Sequence, residues 1–285
     1  MTGFQKLKWP LIGMAILIGG VAFAQEYQRR YSGNRRANDG YRRSNDDRNG
    51  VPLWEKSQEF EHDVFTFVRV QYDSWGGGGW GRRGGKWRTD YPDADLNLSF
   101  RLKQLTSLEV DPNGVILRLT DEELFDYPFI YIIEPGNLEF SPAEVVALRK
   151  YLTKGGFLMV DDFWGEDEWR NFNAEMKRVF PDRESEEVPL EHDIFHIVYD
   201  LNEKPQIPSI GHYMNGMRTE RYDAQVAHYR GIFDDDRRMM VFICHNTDLG
   251  DGWEQEGVSR GYFETYSEPF AYPLGINIVT YALTH

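Results

Sequence analysis

The chain has 285 residues, with 46 acidic against 32 basic side chains and a formal net charge of −14 at pH 7. A strongly acidic protein repels polyphosphates at long range, so nucleic acid is excluded as the expected partner. The single cysteine, Cys244, excludes an internal disulfide.

The first 24 residues are predicted to be a cleavable signal peptide. Lys6 and Lys8 precede an apolar run over 11–21, and Ala22-Phe23-Ala24 supplies a small-residue cleavage site. The apolar run has about half of the ~20 residues needed to span a bilayer, so cleavage after Ala24 is favoured over a permanent anchor. We therefore expect an exported protein, periplasmic or secreted, with no stable membrane span after cleavage.

Residues 25–58 are predicted to form a disordered linker, because the stretch is rich in Arg, Asn, Asp and Gly and poor in apolar side chains. Residues 59–285 are numerous enough to bury a sizeable core, and we assign them to one domain. The glycine-rich segment 75–87 lacks the phosphate-loop pattern, since Lys86 is followed by Trp87 rather than Ser or Thr. A flexible insertion is the favoured interpretation.

Within the domain, short apolar runs rich in β-forming residues predict buried strands at 64–70, 129–133 and 157–160, the last one ended by Asp161-Asp162. Helices are predicted at 93–105, from Ser141 to Gly155, at 166–180 and at 273–283, with a short capped turn at Thr120 and Glu123. The runs 225–233 and 239–245 predict a hairpin. Apolar strands that alternate with helices indicate an α/β fold, here a single three-layer sandwich with a mostly parallel sheet.

Five short motifs occur along this domain: Arg69-Val70-Gln71-Tyr72, Thr89-Asp90-Tyr91-Pro92, Gly155-Gly156-Phe157-Leu158-Met159-Val160-Asp161-Asp162, His245-Asn246-Thr247-Asp248-Leu249-Gly250-Asp251 and Gly275-Ile276-Asn277. Together they resemble the bacterial family known as domain of unknown function 4159, over almost everything from Phe60 to His285. The resemblance implies a flavodoxin-like sandwich related to class I glutamine amidotransferase-like domains. It implies no established activity.

Glutaminase chemistry is not expected despite that relationship. Amidotransferases of this class hold a nucleophilic cysteine on a strained strand-to-helix elbow flanked by glycines. Cys244 lies inside a strand-like run and is followed by His245-Asn246, so a buried core residue is the favoured interpretation.

Ligands of open parallel sheets bind beyond the carboxyl ends of the strands, where polar residues follow three of the predicted strands here. If these ends converge, their carboxylates, imidazole and aromatic rings share one cleft suited to an oxygen-rich ligand or a divalent metal. The candidate catalytic residues are Asp161, Asp162 and His245. The candidate ligand-binding residues are Tyr72, Asp73, Asp90, Trp164 and Asn246.

Structural alternatives exist for several of these residues. Asp161 and Asp162 could instead cap the helix that begins near Glu166. Asp248, Asp251 and Glu254 are candidate metal ligands in a pattern similar to a calcium loop, yet without EF-hand spacing, so a polar turn also fits. His192 and His196 would form a zinc pair on a helix, whereas the residues between them favour a strand.

Two classes of function remain. The first is a non-catalytic binding module of the cell envelope that recognises a carbohydrate, a metal or an envelope protein. The second is a hydrolase acting on a glycan or a related substrate, with Asp161 or Asp162 as base and His245 assisting. The sequence displays no nucleophile, oxyanion-hole motif or closed set of metal ligands, which favours the first class. No cofactor is predicted, and a divalent metal is the one that these residues could hold.

Overall fold

The computed structural model describes residues 48–56, 63–75 and 85–285. The predicted signal peptide and residues 25–47 of the predicted linker lie outside this range. Among the described residues, none of the helices combines the length and the apolar character that a membrane span requires. Residues 48–56 of the predicted linker contact the domain, since Arg48 donates hydrogen bonds to Asn113 and to the Pro112 carbonyl, and Trp54 donates one to the Val110 carbonyl.

Nine strands are present in the described residues: β1 Val68–Val70, β2 Asp73–Ser74, β3 Val115–Leu117, β4 Phe129–Ile133, β5 Leu138–Glu139, β6 Phe157–Phe163, β7 Glu186–Glu187, β8 His228–Phe233 and β9 Met239–His245. Seven of them form one sheet in the order β3-β1-β4-β6-β9-β8-β7, and β2 pairs with β5. The first five strands of that order are parallel, while β8 and β9 form the predicted antiparallel hairpin. The predicted mostly parallel sheet is confirmed.

The helices are α1 Asp93–Leu105, α2 Pro142–Thr153, α3 Gly165–Val179, α4 Ile210–Met214, α5 Leu249–Glu254, α6 Arg260–Tyr262 and α7 Tyr272–Thr284. A π-helical segment, Phe263–Ala271, joins α6 to α7, and single 3-10 turns occur at Lys86–Arg88, Glu122–Asp126, Pro135–Asn137 and Asp193–Phe195. Apolar side chains of α1 and α7 share a buried cluster with one face of the sheet, and those of α2 and α3 with the other. The three layers expected from the sequence are therefore present.

Local capping explains where α2 begins. The Ser141 hydroxyl accepts a hydrogen bond from the Glu144 amide, the Glu144 carboxylate accepts one from the Ser141 amide, and Pro142 occupies the first turn. The capping box predicted at Thr120 is wrong. The 3-10 turn there begins after Asp121, whose carboxylate accepts from the Arg118 amide and so stabilises the approach to the turn rather than its first residues.

The strand predicted at 157–160 continues to Phe163, so the expectation that Asp161-Asp162 ends it is wrong. Asp161 pairs with Ile133 of β4 and Phe163 pairs with His245 of β9, with an irregularity between Val160 and Phe163. The two neighbouring strands thus supply ladder partners past the apolar run. The aspartates do not cap α3 either, because the carboxylate of Glu168 accepts the amide of Trp164 there.

A buried ion pair joins the sheet to α1. Arg69 of β1 is fully buried, and its Nε lies 3.1 Å from both carboxylate oxygens of Asp95. Its Nη1 donates to the carbonyls of Trp87 and Thr89, at 3.0 and 2.8 Å. One guanidinium therefore fixes both a helix and the loop that leads to Asp90.

Replacing Arg69 by Met is expected to lower the free energy of unfolding by about 3–5 kcal/mol, because Asp95 would remain as an uncompensated buried charge. Denaturant unfolding followed by circular dichroism measures this change. The matched control is Arg118→Met, which removes the exposed pair between Arg118 and Asp73 and should cost at most about 1 kcal/mol. Equal losses in the two variants would contradict the structural role given to Arg69.

Candidate active site at the carboxyl edge of the sheet

The strand order and the backbone conformation at the carboxyl edge of the parallel strands are both typical of a functional site. Numbered among themselves, the five parallel strands lie in the order 2-1-3-4-5, so the direction in which successive strands are added to the sheet reverses between β1 and β4. Four non-glycine residues near this edge have positive φ angles: Asp90 (58°), Glu134 (48°), Asp162 (55°) and Asn246 (62°). Left-handed backbone of this kind is costly for residues with a side chain, and it concentrates at functional sites.

A first group of three carboxylates joins two distant parts of the chain. Asp90, Asp248 and Asp251 each offer one oxygen, and these oxygens lie within 4.8 Å of one another. Asp248 caps α5 by accepting the Asp251 amide at 2.7 Å. The structure thus brings the predicted residues Asp248 and Asp251 together with Asp90, the residue that follows the loop fixed by Arg69.

A second group overlaps the first. Asp162, Glu220 and Asp248 also offer oxygens within 4.8 Å of one another, so Asp248 belongs to both groups. Glu220 was missed by sequence reasoning, because it lies in a stretch with neither periodicity nor a motif. We call the set Asp90, Asp161, Asp162, Glu220, Asp248 and Asp251 the acid cluster.

Two oxygens of the acid cluster are buried without a hydrogen-bond partner within the described ranges, namely Oδ2 of Asp90 and Oδ1 of Asp161. The other oxygen of Asp161 accepts from the Tyr131 hydroxyl at 3.1 Å and from the Gly250 amide at 2.9 Å. A Cβ on Gly250 would lie 2.5 Å from Asp90 Oδ2, so only glycine allows α5 to approach this closely. Orphaned buried carboxylate oxygens are costly and require either a proton or a cation.

Burial and mutual repulsion shift the titration of the cluster. Burial, opposed by hydrogen bonds, raises the pKa of Asp161 to about 7 and that of Asp251 to about 6. Burial and the neighbouring carboxylates raise the pKa values of Asp90, Asp162 and Asp248 well above the ordinary range. Predicted candidate Glu254, one turn beyond Asp251 on α5, has its pKa raised to about 8 by burial and by Asp251.

The basic groups near the acid cluster have other partners. Arg69 is bound to Asp95, and Lys86 lies 2.6 Å from Glu134, which also accepts the Thr89 hydroxyl. The acid cluster is therefore not neutralised by these side chains. A set of carboxylate oxygens without nitrogen or sulfur ligands suits hard cations such as Ca²⁺, Mg²⁺ and Mn²⁺.

His245 does not join the acid cluster. Its Nε2 lies 3.1 Å from the Gly165 carbonyl, and its Nδ1 lies 3.0 Å from Nη1 of Arg230. Burial lowers its pKa to about 3, so the ring is neutral, with Nε2–H donating and Nδ1 accepting. The imidazole stacks against Trp169 on the α3 side of the sheet, and both of its nitrogens are occupied there.

Three of the predicted ligand-binding residues, Tyr72, Trp164 and Asn246, form hydrogen bonds to backbone groups or to another side chain near the site. The Tyr72 hydroxyl lies 2.7 Å from the carbonyls of Ile133 and Glu134. Buried Trp164 donates its indole N–H to Asp162 Oδ1 at 3.0 Å and so orients that carboxylate.

Asn246 accepts the Gly165 amide and donates to the Val226 carbonyl. Asp73 lies apart from the site, exposed on β2 beside Arg118.

The histidine pair does not form a zinc site. Residues 193–195 form a 3-10 turn rather than the predicted strand, because the His192 ring accepts the Ile194 amide and stabilises the turn. The His196 ring instead contacts Asp200 and the Leu190 carbonyl. Cys244 is fully buried in β9 and burial raises its pKa well above the ordinary value, which confirms the core interpretation.

Comparison with known protein families identifies the family of this chain. A family model described as "Domain of unknown function (DUF4159)" matches residues 66–283, a range that contains the whole acid cluster. No curated protein matches the chain. The match confirms the resemblance drawn from the motifs.

In the presence of a chelator, stability is expected to fall as pH rises from about 6 to about 8. The folded state keeps protons on Asp251, Asp161 and Glu254 up to pKa values of about 6, 7 and 8, whereas the unfolded chain has already lost them. Because the folded state binds more protons, the free energy of unfolding declines as pH passes through these values. Melting temperatures recorded across the range in EDTA measure the slope.

The Asp161→Asn variant should have a shallower slope, while Asp73→Asn, a change outside the acid cluster, should keep the slope of the unmodified chain. A melting temperature that rises over this range in EDTA would contradict the assigned protonation.

Proposed function

The chain belongs to the DUF4159 family, and we propose that it is an exported, non-catalytic binding module of the cell envelope whose acid cluster holds a divalent cation. Oδ2 of Asp90 carries the proposal. It is buried, it has no hydrogen-bond partner among the described residues, and its carboxylate is one of three whose oxygens lie within 4.8 Å of one another.

Electrostatics favours a cation at this place. Asp90, Asp248 and Asp251 repel one another at short range in a site with little water, where charge interactions are strong. A divalent ion replaces the protons that these groups otherwise retain, and metal binding releases protons from ligands in this way. Asp251 lies on α5, Asp248 caps that helix, and Asp90 directly follows the loop fixed by Arg69, so little reorganisation is needed.

The bound ion is proposed to present its remaining coordination positions to an oxygen-rich ligand, either a carbohydrate or an oxygen-bearing group of an envelope protein. Calcium takes six to eight oxygen ligands, more than three carboxylates supply by single oxygens. The acidic composition argues against nucleic acid. Export rests on the predicted signal peptide at 1–24.

A periplasmic hydrolase acting on a glycan is the second candidate, and one observation favours it. Burial places the pKa of Asp161 at about 7, the range in which a carboxyl group can act as a general acid or base near neutrality. His245 cannot assist as the sequence suggested, since its ring nitrogens bind Arg230 and Gly165. Release of sugar from isolated envelope glycans by the metal-loaded protein, lost in Asp161→Asn, would favour this candidate over the binding module.

Protein purified without chelator is expected to contain divalent metal in stoichiometric amount, and EDTA should lower its melting temperature. A ligand at a hundred times its dissociation constant stabilises the folded state by about 2.7 kcal/mol. Asp90→Asn should weaken binding at least about tenfold, the lower limit for changes around metal ligands. Elemental analysis and calorimetric titration with Ca²⁺, Mg²⁺ and Mn²⁺ measure both effects.

Asp73→Asn is the control, because Asp73 is an exposed carboxylate that lies away from the cluster. The proposal fails if the protein has no bound metal, no shift with EDTA and no binding of the three ions.

Export has its own test. Expression of the full chain in a bacterial host should yield a periplasmic protein whose mass corresponds to a start at Gln25, since cleavage is expected after Ala24. Ala24→Arg should block processing and leave the precursor. Full-length, unprocessed protein in the cytosol from the unmodified gene would contradict the signal-peptide assignment.

A further inference from the structure

A groove lies at the start of β8, and we call it the β8 groove. Its volume is about 560 Å³, and its lining includes Glu187 of β7, His228 of β8, and Lys204 and Gln206 from the chain between these strands. Pockets that bind small molecules have volumes of about 300–1,000 Å³. The β8 groove is therefore large enough for a small organic ligand.

The β8 groove and the acid cluster lie on either side of the segment 206–209. Gln206 lines the groove, whereas the carbonyl of the next residue, Ile207, accepts the Asp248 amide at 2.9 Å. The Ser209 amide donates to Glu220 Oε1 at 2.8 Å. Since the groove and the cluster share this segment as a wall, one extended ligand can occupy both.

Two carboxamides of the groove are held by main-chain carbonyls. Gln206 Nε2 donates to the carbonyls of Ala224 and Asn246, at 2.9 and 3.0 Å. Gln225 Nε2 donates to the Tyr222 carbonyl at 3.1 Å. A carboxamide whose nitrogen is bound in this way offers its oxygen as an acceptor in a fixed position. Fixed acceptors suit a ligand that donates hydrogen bonds, because little side-chain freedom is lost on binding.

The charged side chains that line the groove favour a neutral ligand. Glu187 Oε1 lies 2.9 Å from Lys204 Nζ, and Glu187 Oε2 lies 3.2 Å from His228 Nδ1. The carboxylate and the ammonium offset each other, and the net charge of −14 on the chain repels anions. An ammonium carries three N–H donors, so Lys204 can donate to a ligand while it remains bound to Glu187.

Apolar surface completes the groove. Val226 is 61% exposed, and it lines the groove together with Ala227. Pockets for small molecules combine apolar surface with a few fixed polar groups in this way. A sugar unit matches both parts, since its C–H groups can pack on Val226 and its hydroxyl groups both donate and accept hydrogen bonds.

We propose that the β8 groove binds a neutral sugar unit of the carbohydrate that the cation holds. Lys204 donates to its hydroxyl groups, and the oxygens of Gln206 and Gln225 accept from them. The inference rests on the proposed function, since the cation at the acid cluster is the other contact of the same ligand. It selects a carbohydrate, rather than a group of an envelope protein, as that ligand.

Calorimetric titration of the protein purified without chelator tests the inference, with chitotetraose, cellotetraose, maltotetraose and mannotetraose as the sugars. At least one of them should bind with a dissociation constant of about 1 mM or less. Val226→Arg places a long charged side chain in the groove and keeps the main-chain carbonyl that Asn246 binds, and it should weaken binding at least about tenfold. The matched control is Val146→Arg on α2, which is also 61% exposed and should retain the affinity.

A second pair of variants tests the polar contacts. Lys204→Met removes a charged donor from the groove and should weaken sugar binding about tenfold. Lys103→Met is its control, because it removes the pair between Lys103 and Glu109 on the far side of the wall and should leave the affinity unchanged. Unchanged sugar affinity in both Val226→Arg and Lys204→Met overturns the inference.

The outcomes separate this inference from the proposed function. Sugar binding that falls in EDTA and in Asp90→Asn, but not in Val226→Arg, overturns the groove and leaves the cation site in place. Sugar binding that Val226→Arg abolishes and EDTA leaves unchanged supports the groove and overturns the role of the cation in holding the carbohydrate. If none of the four sugars binds, the inference is overturned, and elemental analysis then decides the cation site separately.

Discussion

The buried pair between Arg69 and Asp95 is the interaction on which the rest of the site depends. Arg69 rises from the first parallel strand, binds a carboxylate of α1 and uses its remaining N–H groups on two carbonyls of the loop before Asp90. A planar guanidinium can serve a carboxylate and two carbonyls at once, which an ammonium cannot do in the same geometry. The position of Asp90 at the sheet edge follows from that anchor.

The acid cluster is built at the expense of stability. Close approach of α5 requires Gly250, strained backbone holds Asp90 and Asp162, and burial drives the pKa values of several carboxyl groups upward. Each feature lowers the stability of the folded chain by itself. Such departures from local conformational and packing preferences are expected at functional sites. A bound hard cation would offset the repulsion between the buried carboxylates and would supply a partner for their unpartnered oxygens.

Much of the architecture could be predicted from the sequence. Short apolar runs located the core strands, and Ser141, Pro142 and Glu144 located α2, because these are local signals. Asp248 and Asp251 could be grouped because they are close in sequence, in a pattern similar to a calcium loop. Their meeting with Asp90 could not, because it depends on a loop held by Arg69 far away in sequence. No periodicity or motif in the sequence around Glu220 indicated that it belongs to the acid cluster.

His245 shows that a polar residue at the end of a strand need not face the site. It is the last residue of the apolar strand β9, where a site residue could lie, yet side chains alternate across a sheet. Cys244 faces the α1 and α7 layer, so His245 faces α3 and stacks on Trp169. Asp161 lies among the side chains on the opposite face, beside Tyr131. One position of register decides which face a polar residue joins, and pairing with β6 and β8 sets that register.

Anomalous diffraction from crystals grown with Mn²⁺ tests the central claim most directly. A divalent cation at the carboxyl edge predicts a density peak about 2.0–2.6 Å from oxygens of Asp90, Asp248 and Asp251, the range of Mg²⁺ and Ca²⁺ bonds to oxygen. A well-ordered acid cluster without a peak, or a peak only at surface carboxylates such as Asp73, would contradict it.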